Sequence, residues 1–118
     1  MEASDGAVLA LPGVTQVVRT NGTDVIWQAE GAGTRIVLAN LTNIVGFTDG
    51  GWWRCHAYGG GRLELPAVQT LANGWFEVTA DGTNSVVDLS ELTSYQQGTR
   101  PDHYLILEAS NGGTLLVP

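Results

Sequence analysis

Apolar and polar residues alternate along this chain in short stretches broken by glycine-rich punctuation. Ala7 to Leu11, Val14 to Arg19, Asp24 to Ala29, Thr34 to Ala39 and Trp52 to Tyr58 each read as strands. Asn21-Gly22, Glu30 to Gly33, Asp49-Gly50-Gly51 and Gly59-Gly60-Gly61 read as the turns between them. Asn21-Gly22 carries a strong local hairpin signal. The second half repeats the theme: strands at Arg62 to Leu65, Gly74 to Thr79, Ser85 to Leu89, Tyr104 to Ala109 and Thr114 to Val117. Pro66 to Ala72 reads as a single helical turn or a loop, and helical periodicity is otherwise almost absent.

The pattern recurs at long range. Leu9-Ala10-Leu11-Pro12 returns as Leu63-Glu64-Leu65-Pro66 and as Leu115-Leu116-Val117-Pro118, with prolines 54 and then 52 residues apart. Asn21-Gly22 answers Asn73-Gly74, and Leu38 to Thr42 answers Leu89 to Thr93. An ordered set of matches at a nearly constant offset indicates an internal duplication. The expected fold is one all-β domain over residues 1–118, with repeats at about 7–60 and 61–118. It is expected to be a compact antiparallel β-sandwich or barrel with a pseudo-two-fold relation. The third copy of the proline-ending strand would close that sheet system or extend it, and pairing would remove exposed edges.

Composition narrows the partners. Charged residues make up 14 % of the chain, against roughly 25 % in an average globular protein. Low surface charge points to a surface that is partly covered in the working state. The net charge is −7, lysine is absent and the five arginines are scattered. Phosphate binding wants clustered cations, so nucleic acid and anionic membrane surfaces are disfavoured. No apolar run approaches the ~20 residues of a membrane span. Met1 to Gly6 is acidic and lacks the features of a secretory signal, so synthesis and folding in the cytoplasm are expected.

Candidate chemistry is sparse. Cys55 is the single cysteine. A Cys55–His103–Asp102 nucleophilic arrangement can be drawn, but no nucleophile signature surrounds Cys55. Cys55 and His56 are neighbours on a strand and face opposite ways. The two histidines give no metal-ligand spacing. Asp81-Gly82-Thr83-Asn84 resembles part of a calcium loop but lacks its later glutamate. The Gly59-Gly60-Gly61 run opens no helix, so it is no phosphate cradle. The expectation is therefore no enzyme, with no catalytic residue, no metal ligand and no cofactor. The four tryptophans are the best functional candidates. Trp52 and Trp53 are adjacent, so one faces in and one out. An exposed tryptophan there suits an interface anchor or a platform for a sugar ring.

Residues 61–118 carry one further likeness. Leu63 to Ala67, then Leu71 to Val78 with its Asn73-Gly74-Trp75, then Asp81 to Asp88 resemble the short β-modules of tailed-bacteriophage tail fibres, head fibres and capsid-decoration proteins. The first half joins that likeness only through the internal repeat, and the long glycine-rich or coiled segments of many fibres are missing. The resemblance implies a structural virion protein made in the host cytoplasm, assembling as a homo-oligomer with other capsid or tail proteins. Trp52, Trp53 and Trp75 would be its interface residues. The alternative is a carbohydrate-binding or host-receptor-recognition module, with a glycan as partner.

Overall fold

The computed structural model describes residues 1–48, 50–98 and 100–118, so the Asp49 end of one expected turn lies outside the described residues. Three sheets are formed. Sheet A contains, in spatial order, β1 (Glu2–Ser4), β4 (Val25–Glu30), β7 (Trp52–Tyr58), β10 (Trp75–Asp81) and β13 (Leu105–Ser110). Sheet B contains β2 (Val8–Ala10), β5 (Arg35–Val37), β8 (Arg62–Glu64), β11 (Val86–Asp88) and β14 (Thr114–Leu116). Sheet C contains β3 (Gln16–Val18), β6 (Asn43–Val45), β9 (Thr70–Ala72) and β12 (Ser94–Gln96).

Every strand pairing described is parallel. The expected antiparallel sandwich or barrel is therefore overturned. The chain winds as a three-sided parallel β-solenoid of about four turns. Parallel neighbours need a connection of a dozen or more residues, usually a helix. Here the other two sides of each coil supply it. Asn21-Gly22 and Asn73-Gly74 mark corners from sheet C to sheet A rather than hairpins, and the stretch from Pro66 ends in β9.

Leu9, Ile36, Leu63, Val87 and Leu115 stand in register across sheet B, so successive coils are 27, 27, 24 and 28 residues long. The repeat of 54 and 52 residues is two coils. Odd and even coils differ at the corner from sheet A to sheet B. Odd coils turn through two residues of positive φ: Asp5-Gly6, Gly59-Gly60 and Asn111-Gly112. Even coils turn through one residue more, ending at Thr34 and Ser85, whose side chains are fully buried. Those hydroxyls accept the amides of the preceding odd coil, Gly6 N to Thr34 Oγ1 at 2.8 Å and Gly60 N to Ser85 Oγ at 2.9 Å. Both bonds are partly buried, where a backbone donor gains from a protein acceptor, and they bind coils together in odd–even pairs.

The corner from sheet B to sheet C is the same in coils 1 to 4. Val14 N, Leu41 N, Val68 N and Leu92 N donate to the carbonyls of Leu11, Leu38, Leu65 and Leu89. Pro12 and Pro66 sit at the second position of that turn, where a fixed φ is favourable. The leucines point inward and join Ile36, Ile44, Leu63 and Leu71 in one core. Full burial of each such side chain is worth about 1.5–3 kcal/mol.

Candidate interaction surfaces

Alternation along β7 sends Trp52, Arg54, His56 and Tyr58 outward and Trp53, Cys55 and Ala57 inward. Trp53 is thus the inward one, 1 % exposed. It meets Trp27 edge-on at 5.1 Å and stacks with Phe76 at 5.9 Å. These contacts hold coils 2, 3 and 4 together from inside, and Trp53 takes no part in the surface.

Trp52 and Trp75 face outward in register on neighbouring strands. Their rings stack with centroids 3.4 Å apart, and Tyr104 continues the row at 4.7 Å from Trp75. Arg54 lies over the Trp52 ring at 4.7 Å while its Nε donates to Glu77 Oε2 at 3.3 Å. Each tryptophan gives one ring face to the other, which is the surface a sugar ring would need. The row therefore has one face of each tryptophan covered by the other, with a half-exposed Tyr104 next to Trp75. Two members, Trp52 and Trp75, were legible as candidates. Tyr104 was read only as part of a strand, and its place in the row depends on the coil register.

The remaining polar groups are structural in their contacts. Burial pushes the Cys55 thiol up to about 12, so it stays protonated at neutral pH and lacks the thiolate a nucleophile requires. His56 lies on the other face of the same strand. His103 is buried in the corner before β13, and Asp102 beside it pairs with Arg100 at 2.9 Å. Asp81 Oδ1 accepts from Ser110 Oγ at 3.1 Å and Asn111 Nδ2 at 2.7 Å, which ties coil 4 to coil 5. Among the described residues no three His, Cys, Asp or Glu side chains converge on a point where a metal ion could sit.

The ends of the coil are the other unusual surface. Among the described residues, the exposed large apolar side chains are Val8, Val18, Ile26, Tyr104, Leu107, Leu116 and Val117. All but Ile26 belong to coils 1 and 5. Leu107 is 42 % exposed, whereas Cys55 and Val78, its mates in register on β7 and β10, are buried. Among the described residues, the outer edges of β13 and β14 also carry no neighbouring strand. Open parallel edges of this kind are templates for further pairing.

Fold and surface together define a three-sided parallel β-solenoid with apolar, open ends. No protein-family model, no curated protein and no solved structure matches the chain.

Proposed function

We propose that this chain is a structural module that works by protein–protein assembly through the ends of its coil. The observation that supports this best is the concentration of exposed apolar side chains on coils 1 and 5, beside unpaired strand edges. A solenoid that stays monomeric needs polar caps over its terminal repeats. Here coil 5 exposes Leu107, Leu116 and Val117. A virion setting rests on the resemblance of residues 61–118 alone. The glycan-binding alternative gains little from the tryptophans, because Trp53 is inside and Trp52 and Trp75 stack on each other.

Sedimentation velocity over a concentration series tests the proposal. The mass should climb above the 12.5 kDa of one chain as concentration rises. Leu107→Lys with Leu116→Lys should return it to the monomer, since edge lysines oppose strand pairing. Both positions are already exposed, so the coil keeps its fold. A monomer at the highest soluble concentration overturns the reading.

A further inference from the structure

Residues 1–12 and residues 107–118 are two versions of one segment. Glu2-Ala3-Ser4 recurs as Glu108-Ala109-Ser110, Asp5-Gly6 as Asn111-Gly112, and Leu11-Pro12 as Val117-Pro118. The two segments also hold the same place on the coil. Each runs through a sheet A strand, a corner with two positive-φ residues and a sheet B strand. Ala7 N donates to Ser4 O in the first, and Gly113 N to Ser110 O in the second.

They differ in what lies beside them. Residues 1–12 are seated on coil 2, with Ser4 in register with Glu30 and Gly6 N bonded to Thr34 Oγ1. Residues 107–118 are seated on coil 4, and no coil lies on their other side among the described residues. Gly112 N, the equivalent of Gly6 N and Gly60 N, has no acceptor among the described residues. We infer that residues 107–118 of one copy of this chain replace residues 1–12 on coil 2 of a second copy, making one continuous coil. This rests on the assembling role proposed above and names its partner and its seat.

Three features favour replacement over plain stacking of ends. First, an even coil follows every odd coil from coil 1 to coil 4 of this chain, and the hydroxyl acceptor comes from the even coil. Stacking would set coil 1 of one copy against coil 5 of another, odd upon odd. Replacement puts coil 5 upon coil 2, so Gly112 N gains Thr34 Oγ1. Second, Pro118 stands at the corner position of Pro12, so the acceptor copy continues the coil from Gly13 with its own β3. Third, an odd coil with another coil before it demands glycine where sheet B begins. A Cβ at Gly113 would lie 2.1 Å from Ala80 O, and one at Gly61 2.2 Å from Ala29 O. The equivalent residue in the first segment is Ala7, which has a neighbouring coil on one side only. Residues 107–118 therefore suit an odd coil that follows another coil, as the joined coil does, and residues 1–12 with Ala7 do not.

The test uses the full chain carrying Glu30→Cys and Ser110→Cys with a short bismaleimide. In the joined coil Ser110 takes the place of Ser4 beside Glu30. Within one chain these positions are three strand spacings apart, about 14 Å, too far for that reagent. Covalent dimers and longer species should form in the double variant and not in either single variant. Leu9→Ala loosens the resident segment and should raise the linked fraction about tenfold; Leu115→Ala weakens the incoming one and should lower it by a similar factor. A general loss of stability would move both in one direction, and that result overturns the inference. Assembly by sedimentation without a covalent link between positions 30 and 110 also overturns it, while leaving assembly through the coil ends standing. No assembly at all removes both.

Discussion

Leu63 and Leu115 occupy the same position on the coil, two coils apart, yet Leu63 is fully buried and Leu115 only partly so. The residue type and the strand are the same. What differs is that Leu63 has a coil on each side and Leu115 on one. A single coil of this fold cannot enclose its own apolar residues; its neighbours do that. Stability should therefore be highest in coils 2 to 4 and fall toward both ends, and the ends are also where contact with another molecule gains most.

Truncating both leucines should separate centre from end most widely. Leu63→Ala should cost about 3–4 kcal/mol, within the range of buried leucine truncations. Leu115→Ala should cost less than half of that, because half of its surroundings are solvent. Urea unfolding followed by tryptophan fluorescence measures both. Equal losses would mean that coil 5 is covered in the dilute protein, or that the coil unfolds as one unit without weaker ends.

A pair of glycines shows the same difference on a smaller scale. Gly61 and Gly113 face the same obstacle, a backbone carbonyl of the coil beneath. Alanine must push that coil away at either site, at a cost of about 1–3 kcal/mol. At Gly61 the displaced backbone is Ala29, held between coils 1 and 3, so Gly61→Ala should lower the global unfolding midpoint. Gly113→Ala should free only residues 107–118. Amide exchange separates the two outcomes: fast exchange confined to β13 and β14 for Gly113→Ala, and a uniform loss of protection for Gly61→Ala.

The same local economy explains what could be read from the chain. The strands of sheets A and B were legible apart from β1 (Glu2–Ser4), because Trp52 to Tyr58 or Ser85 to Leu89 alternate clearly and end at glycine or proline. The short strands of sheet C were harder. Asn43–Val45, Thr70–Ala72 and Ser94–Gln96 have three residues each and no flanking glycine pair to mark both ends. Direction was not legible at all, since alternation looks the same in parallel and antiparallel strands. A turn with two positive-φ residues is the usual hairpin turn; here Asn111-Gly112 and its mates turn the chain onto another sheet. The repeat was visible at two coils and not at one because odd corners carry Pro12, Pro66 and Pro118 where even ones carry Ala39 and Ser90. Trp52 and Trp75 were candidates by type alone. Their stack was hidden because coil 3 reaches coil 4 through only Asn73 and Gly74, which shortens that spacing to 23 residues.

Centre and end should also differ, more weakly, in their response to pH. His56 sits on the outer face of β7, almost covered, with Tyr58 Oη 2.8 Å from its Nδ1. Its Nε2 is 3.7 Å from Glu77 Oε1, and Arg54 holds the other oxygen of that carboxylate. Burial disfavours the imidazolium more than Glu77 favours it, and Arg54 adds repulsion, so the His56 pKa lies below the ordinary value. The unfolded chain then binds a proton more readily than the folded one as pH falls below about 6.5. Stability is full above that pH and declines as pH drops toward the lower folded pKa. Glu108, in the same outward row on coil 5, is exposed. His56→Gln should flatten the fall in urea midpoint between about pH 7 and pH 5.5, where carboxylates are still ionised, while Glu108→Gln should leave it in place. An unchanged slope in His56→Gln would show that the covered centre of sheet A imposes no such cost, and would remove His56 from the contrast between centre and end.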